Sequence, residues 1–324
     1  MSAVYAGLDF SELNIVNKLG DSLAAEVFLA EDRSNGRAYV VKKIRANLAF
    51  EDIKKHLEQQ LVYLREQQIP NLIIPELHSK GGSEICLTQP YPKAQLLRHW
   101  LEAREVVDIA TFLDIAIALS DCLAERHQHT LIHKGIKPSN ILIEEDPIRI
   151  QIIDDVRVLD GMMISQFIQD QQYRRQSLPY IAPEQTGRIR MDIDYCCDLY
   201  AVGTVLYECL SGEPLFYSDD ALDIIHSHLA EEPRALSELN PSCPPVVSDI
   251  VGLLLKKEPE QRYQSAAGLS ADLSTCRVAL RTALEERGST VPDGPLLSIA
   301  PFALRQHEFS RRINIPSRLI GRES

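Results

Sequence analysis

The polar side chains of one short loop are the first candidates for chemistry, because His133, Lys134, Lys137 and Asn140 lie within eight residues. Phosphate chemistry needs positioned cations, hydrogen-bond donors and a group that orients the attacking hydroxyl. The lysines and the amide are side chains of the first two kinds. Gly135, in the middle of the loop, has no group that can accept a proton, so this position cannot supply a general base.

The composition narrows the classes of partner. The chain has 324 residues, 45% of them apolar, and a formal net charge of −12. The apolar share is typical of a globular protein with a substantial core. Nucleic acids and anionic membranes attract clustered Lys and Arg, so we expect neither as a partner. No apolar run approaches the ~18 residues of a transmembrane helix, and residues 1–12 lack the pattern of a secretory signal. These features favour a cytoplasmic protein.

Seven cysteines are scattered along the chain without C-x-x-C spacing. An odd number of dispersed thiols argues against a disulfide framework and favours a reducing compartment. The adjacent pair Cys196 and Cys197 has two interpretations. A redox-active pair is the less favoured one, and one inward and one outward helix position is the more favoured one.

The first ninety residues are expected to be rich in strands around one helix. Short strands are predicted within residues 13–44, with a hairpin turn at 33–36. Apolar residues at spacings of three and four predict a helix over residues 51–68, which Pro70 ends. Two further apolar runs, 72–77 and 85–87, are predicted as strands.

The remainder is expected to be mainly helical. Short strands are predicted at residues 141–143 and 148–153. The predicted helices span 109–127, 194–212, 219–230, 244–257 and 265–285. Beyond residue 286 the composition becomes rich in Gly, Pro and Ser, as in a linker. The expected fold is therefore α+β and bilobal, and the expected divisions are an N-terminal segment 1–12, a small lobe 13–89, a larger helical lobe 93–285 and a tail 286–324.

Six motifs follow one another in an order that resembles a protein kinase domain of the serine/threonine type over residues 13–285. They are Val40-Val41-Lys42, His133 to Asn140, Ile152-Ile153-Asp154, Ala182-Pro183-Glu184, Asp198 to Gly203, and Arg262. Each motif alone is a weak signal, whereas six in the same order and spacing are a strong one. The resemblance implies the same bilobal fold.

A narrower resemblance involves residues 183–188 and 312–323. These segments are similar to the N-terminal kinase-like domain of very large sensor histidine kinases. In those proteins a sequence motif similar to residues 319–323 lies at the start of a P-loop ATPase module. The resemblance implies that residues 286–324 are a linker and tail toward such a module, with 312–323 as a mobile lead-in, and the sequence leaves open whether residues 286–324 dock on the domain. The implied partner is that downstream sensor and ATPase module or another signalling protein.

The resemblance also implies roles for individual residues, with ATP and Mg²⁺ as cofactors whose binding is weak or absent. The implied nucleotide-binding residues are Gly20, Val27, Val40, Lys42 and Leu142. Lys137 is the implied catalytic residue, and Asn140 and Asp154 are the implied metal ligands. His133, Glu184, Asp198 and Arg262 have implied structural roles.

Several positions depart from the family pattern. Gly135 replaces the carboxylate base. The phosphate loop 20–27 keeps only its first Gly and its Val. Side chains at Ser22 and Ala25 restrict the close approach of the backbone to phosphate, and Asp21 and Glu26 add negative charge. Gln60 replaces the Glu that pairs with Lys42. Asp155 replaces an apolar Phe, so it either faces solvent or pairs with a cation such as Arg157 or Lys42. Val156 replaces a Gly. Pro92 in the linker 89–92 removes an N–H that adenine would use.

Three functions stay open at this point. The favoured one is a pseudokinase that binds and regulates, with at most weak ATP binding. The second is a slow serine/threonine kinase that uses Lys42, Lys137, Asn140 and Asp154. The third is an interaction domain without a nucleotide site. A metal site at His226 and His228 is disfavoured, because no cysteine or carboxylate cluster accompanies it.

Overall fold

The computed structural model describes most of the chain between residues 13 and 308. The described ranges are 13–21, 25–45, 50–70, 72–80, 84–104, 107–156, 175–189, 191–287 and 299–308. The N-terminal segment 1–12, Ser22, Arg157 and the motif at 312–323 lie outside these ranges.

The N-terminal lobe is an antiparallel sheet with the strand order β1-β2-β3-β5-β4. The strands are β1 (Leu13–Asp21), β2 (Ala25–Asp32), β3 (Ala38–Ile44), β4 (Glu76–Lys80) and β5 (Glu84–Pro90), with helix α1 (Phe50–Gln67) between β3 and β4. In the turn between β2 and β3, the Asp32 carboxylate accepts the Ser34 N–H at 2.8 Å, and Gly36 has a φ of 68°. The predicted hairpin is therefore confirmed.

The helix of this lobe packs as its spacing predicts. Leu57, Leu61 and Leu64 of α1 are buried against Ile85 and Leu87 of β5. The strand predicted at 72–77 is wrong by several residues, since β4 begins only at Glu76. Pro75 lacks the N–H that a ladder hydrogen bond needs, which explains the late start.

The C-terminal lobe is helical around a small three-stranded sheet. Its elements are β6 (Gln95–Leu96), α2 (Leu97–Glu102), α3 (Ile109–Gln128), β7 (Ile141–Glu145), β8 (Ile148–Ile152), α4 (Cys196–Ser211), α5 (Ala221–Ala230), α6 (Leu236–Leu239), α7 (Pro245–Leu254) and α8 (Ala266–Arg287). β6, α2 and α6 are too short to be visible in the sequence pattern. The bilobal α+β fold predicted from the sequence is confirmed, and none of the described helices has the length and apolar character needed to cross a bilayer.

Helix α4 is buried on every side from Cys196 to Leu210. The interpretation that Cys196 and Cys197 face opposite environments is therefore wrong, because both are buried. A helix at the centre of a lobe has no outward face, so neither thiol is exposed. All seven cysteines are free thiols, in agreement with the absence of a disulfide framework.

Part of the tail packs on the C-terminal lobe, a point that the sequence leaves open. Ile299 is buried in the main core, with Phe302 and Leu304 packed against the same core. The Arg305 N–H donates to Asp272 of α8 at 2.8 Å, and the Glu308 carboxylate accepts the Gln264 N–H at 2.5 Å. Residues 299–308 are therefore held by both apolar burial and hydrogen bonds.

A fully buried ion pair joins two distant parts of the C-terminal lobe. Arg262 donates to Glu184 through two bonds of 2.7 and 2.9 Å, and neither side chain is exposed. The same guanidinium donates to the carbonyl oxygens of Cys196, Lys256 and Lys257. Every donor direction is thus satisfied, which is the condition under which a buried charge is tolerated.

Replacing Arg262 with Met leaves the Glu184 carboxylate buried without a counter-charge. We expect this variant to lose about 3–5 kcal/mol of unfolding free energy, measured by denaturant titration followed by circular dichroism. The matched control is Arg277→Met, which breaks a half-exposed pair with Asp114 and should cost about 0–1 kcal/mol. Equal losses in the two variants would contradict the structural role of Arg262.

Candidate active site

A buried carboxylate shapes the loop at residues 133–140. Asp198, at the start of α4, accepts the backbone N–H groups of His133 at 2.8 Å and Lys134 at 2.6 Å, and His127 contacts it at 3.0 Å. Lys134 has a φ of 57°, a left-handed conformation that is costly for a residue with a side chain. The two hydrogen bonds to Asp198 hold the backbone in that conformation.

The loop presents its functional groups in fixed directions. The His133 ring accepts the Gly135 N–H at 3.2 Å and contacts the Ile153 carbonyl oxygen at 2.9 Å. The Asn140 amide donates to the Gly135 carbonyl oxygen at 3.0 Å, which leaves the amide oxygen as the group that can ligate a cation. Lys137 donates to the hydroxyl of Ser177 at 3.0 Å. Gly135 itself contributes only backbone to the site.

Asp154 lies at the exit of β8, next to this loop. The preceding Ile153 N–H donates to the Asn140 carbonyl oxygen at 2.9 Å, which ties the two predicted metal ligands together. Asp154 has a φ of 69°, and its side chain is 42% exposed. Loss of hydration raises the pKa of the Asp154 carboxyl, but the attraction of Lys42 and then of Lys137 outweighs this effect, so the pKa lies below its ordinary value.

Lys42 of β3 pairs with Asp154 at 2.6 Å, which joins the two lobes. The sequence predicts that Gln60 replaces the usual acidic partner of this lysine. In the structure the Gln60 amide contacts the His56 ring at 2.6 Å, one turn earlier on α1. An amide carries no counter-charge, so the predicted metal carboxylate is the anion that neutralises Lys42.

Asp155 does not face solvent but pairs with a cation, which confirms one of the two alternatives, although the cation is not Lys42. Its side chain is fully buried and pairs with Arg126 of α3, whose side chain is 1% exposed. The two bonds measure 3.0 Å from Nε to Oδ1 and 3.2 Å from Nη2 to Oδ2. The Arg126 guanidinium also donates to the carbonyl oxygens of Ile152 at 2.8 Å and Cys122 at 3.2 Å.

The sequence contains a signal for this pair. The apolar stripe of α3 includes Phe112, Ala116, Leu119 and Leu123, and the next position on that face is 126. A charged residue on a buried helix face requires a buried partner of opposite charge. Arg126 was therefore the residue that sequence reasoning missed.

Val156 follows this pair and faces the other lobe. It is buried in the same cluster as Leu57, Leu61 and Leu64 of α1. The apolar contact with α1 is thus made by Val156, one residue after Asp155. The two adjacent residues anchor the chain to opposite sides of the site, one through charge and one through apolar packing.

The strands β1 and β2 flank the predicted phosphate loop, of which residues 22–24 lie outside the described ranges. Gly20 faces Val27 across the two strands, and Ala25 is buried in the core of the small lobe. Lys18 contacts both Asp21 and Glu26 at 2.6 Å. Arg45 contacts the same two carboxylates at 2.5 and 3.4 Å. The expected excess of negative charge at this loop is therefore wrong, because two basic residues balance two carboxylates.

The other implied nucleotide contacts lie on neighbouring strands. Val27 is half-buried directly opposite Lys42, and Val40 is half-buried opposite Gln89. Leu142 is buried in β7. The structure thus brings Val27 and Lys42 together and places Val40 beside β5, the strand that leads to the linker between the lobes.

The linker offers few donors to an adenine ring. Pro90 and Pro92 have no N–H, and the Tyr91 N–H donates to the Ala38 carbonyl oxygen at 2.9 Å. Residues 90–92 therefore present no backbone donor for a purine. This geometry extends the prediction made from Pro92 alone to all three residues.

Metal-ligand clusters of the ordinary kind are not found in the described part of the chain, since no group of three His, Cys, Asp or Glu residues could hold an ion. A cation at Asp154 and Asn140 would consequently need further oxygen ligands, which nucleotide phosphates can supply. His226 and His228 do not form a site either. His226 is exposed and lies 3.7 Å from Glu231, whereas His228 is buried and contacts the Tyr200 hydroxyl at 2.9 Å.

These features define the class of two-lobed domains in which a strand lysine of one lobe meets an aspartate of the other. The family model described as the protein kinase domain matches residues 13–273. The chain belongs to the protein kinase domain family, and the resemblance found in its motifs is confirmed.

Curated relatives fall into two groups by name. Hybrid signal transduction histidine kinase G of Dictyostelium discoideum is 28% identical over 241 residues, which cover 54% of this chain and 7% of that protein. A probable serine/threonine-protein kinase of Streptomyces coelicolor is 28% identical over 271 residues, which cover 80% of this chain and 39% of that protein. Serine/threonine-protein kinase PrkC of Bacillus subtilis is 25% identical over 305 residues, which cover 92% of this chain and 45% of that protein. The chain spans less than half the length of each.

Protonation of His228 should destabilise the fold. Burial, followed by the charge of Lys257, lowers the pKa of His228 from 6.5 to about 3. The unfolded chain therefore binds a proton below pH 6.5 that the folded chain excludes, so stability falls as the pH falls toward 3. We expect the His228→Gln variant to lose about 2 kcal/mol less than the wild type between pH 7 and pH 4.5, measured by urea unfolding at each pH.

The control for this prediction is His226→Gln, two residues away on the exposed side of α5. It should reproduce the pH dependence of the wild type. An identical pH dependence in wild type and His228→Gln would show that the buried imidazole does not govern the acid response.

Proposed function

We propose that this chain is a pseudokinase, which uses a kinase fold for regulation and for weak binding of ATP with Mg²⁺, without transferring phosphate. The observation that carries the proposal is Gly135, which occupies the position of the general base. Loss of such a base typically costs about 10²- to 10⁴-fold in rate.

Within the part of the chain that the structure describes, the carboxylates around Gly135 are bonded to other groups, which supports the proposal. Asp154 pairs with Lys42, and Asp155 is buried against Arg126. Asp198 accepts the backbone of the loop, and Glu184 is buried against Arg262. Glu145 contacts Trp100 and Arg104 on another side of the lobe. None of these carboxylates faces a hydroxyl docked at Gly135 without leaving its partner.

The case for residual nucleotide binding comes from the groups that remain. Lys42, Lys137, Asn140 and Asp154 retain the cations and oxygen ligands suited to phosphates and Mg²⁺. Two features weaken the affinity. The linker 90–92 presents no donor to adenine, and the strand lysine must exchange its contact with Asp154 for a phosphate. The expected ligand is therefore Mg·ATP at millimolar rather than micromolar concentration.

A slow serine/threonine kinase is the second candidate. The contact of Lys137 with Ser177 favours it, because a lysine held beside the reaction centre can neutralise a transferred phosphate. The names of the bacterial relatives favour it as well. An interaction domain without a nucleotide site is the third candidate, which the donor-poor linker favours.

The expected partner is another signalling protein or a downstream sensor and ATPase module. The likeness to a hybrid signal transduction histidine kinase supports this expectation. The packing of residues 299–308 on the C-terminal lobe provides a physical connection from the tail to the kinase fold. The net charge of −12 disfavours nucleic acid and anionic membrane as partners.

The direct test is phosphate incorporation from radiolabelled ATP into generic protein substrates and into the chain itself. We expect no incorporation above background for the wild type. Incorporation that Asp154→Ala abolishes would establish the slow kinase instead. A thermal-shift titration separates the remaining candidates, because ligand at five times its Kd stabilises by about 1 kcal/mol. An unchanged melting temperature at millimolar Mg·ATP would favour the interaction domain.

Restoring the base should not restore catalysis. We expect Gly135→Asp to remain at background in the same assay, because Gln60 still lacks a charge and the linker still lacks donors. The φ of Gly135 is not in the left-handed region that the structure reports for other glycines, so an Asp is compatible with the backbone. Strong transfer by this single variant would show that the base was the only important loss.

A further inference from the structure

The five consecutive residues 152–156, at the end of β8, make contacts with different parts of the molecule. The Ile152 carbonyl oxygen accepts from Arg126 at 2.8 Å, and the Ile153 carbonyl oxygen contacts the His133 ring at 2.9 Å. The Asp155 side chain is fully buried, and Val156 is buried under α1. Asp154 alone in this run points its side chain outward, where it contacts Lys42.

Arg126 holds both ends of this run. It binds the backbone before Asp154, at Ile152, and the side chain after it, at Asp155, so Asp154 lies within a loop closed by one guanidinium. The backbone of Asp154 has a φ of 69°, a left-handed conformation that is uncommon for a residue with a side chain and is populated more fully when neighbouring residues constrain it. The two clamped neighbours provide that constraint.

Rotation of this segment away from the site is opposed by electrostatics. If Asp155 leaves its place, the Arg126 guanidinium stays behind at 1% exposure without a counter-ion. A buried charge that loses its partner is strongly destabilising. An apolar residue at 155 would have no such penalty, since it could exchange one apolar environment for another.

We infer that Arg126 is a positioning residue that acts through Asp155 to hold Asp154 as a preformed ligand for the Mg²⁺ of a bound nucleotide. The inference rests on the proposed function for the identity of the ligand. Its structural part, the ordering of residues 152–156 by Arg126, is independent of any nucleotide. The chain therefore keeps its metal carboxylate in one position whether or not ATP is bound.

The test compares two double variants. Arg126→Met with Asp155→Leu removes both buried charges together, which avoids an unpaired charge. Arg277→Met with Asp114→Leu makes the same changes at a half-exposed pair between α8 and α3. Hydrogen exchange of the Ile153 amide, which donates to Asn140 at 2.9 Å, reports the order of the segment without any ligand.

We expect the Ile153 amide to exchange about tenfold faster in the first double variant and unchanged in the second. The affinity for ATP in EDTA should stay unchanged in both. The gain in ATP affinity on adding Mg²⁺ should fall about tenfold in the first variant only, because the competent arrangement of Asp154 becomes a minor population.

The possible failures are distinguishable. If the wild type binds no Mg·ATP, the proposed ligand is wrong. Hydrogen exchange of the Ile153 amide then decides the role of Arg126 by itself. Unchanged exchange in the first double variant overturns the inference whatever ATP does. If that variant does not fold, Arg126→Lys replaces it, since a lysine keeps the charge but loses the two-pronged contact. Its Ile153 amide must then exchange measurably faster than that of the wild type.

Discussion

The acceptance of two backbone N–H groups by the buried Asp198 carboxylate is the interaction on which the site depends. It fixes the backbone at His133 and Lys134 and holds Lys134 in a left-handed conformation that a residue with a side chain rarely adopts. From that point the positions of Gly135, Lys137 and Asn140 follow along the loop. Burial alone would raise the pKa of Asp198, but its hydrogen bond with His127, together with the nearby His133, keeps that pKa below its ordinary value. The carboxylate is thus ionised, and each of its two oxygens accepts a backbone N–H.

The charges of this domain divide into those that hold the fold and those that would carry phosphate chemistry. Asp198, and the pair of Glu184 with Arg262, are buried and fully bonded. Gly135 and Gln60 stand where chemistry would need carboxylates. The pair of Arg126 with Asp155 adds a buried charge beside the site. A stable cleft without turnover is what the proposed pseudokinase function requires.

The fold was largely predictable, because long periodic helices and ordered motifs leave strong patterns. Helix α3 and the hairpin at Gly36 are examples. β4 was misplaced because Pro75 interrupts an apolar run, and the packing of Ile299 was missed because ten residues without periodicity give no signal. The partner of Asp155 was missed for a different reason. Position 126 is 29 residues earlier in the chain, and only the helix face of Arg126, read together with a buried carboxylate, connects the two.

In the proposed pseudokinase, no carboxylate accepts the proton of a substrate hydroxyl that docks at Gly135. The most direct measurement is a crystal structure with Mg²⁺, a non-hydrolysable ATP analogue and a serine-containing peptide. We predict that no carboxylate oxygen lies within about 3.2 Å of the serine hydroxyl, and that no single water bridges the two groups. A carboxylate found at that distance would contradict the account and make this chain an enzyme.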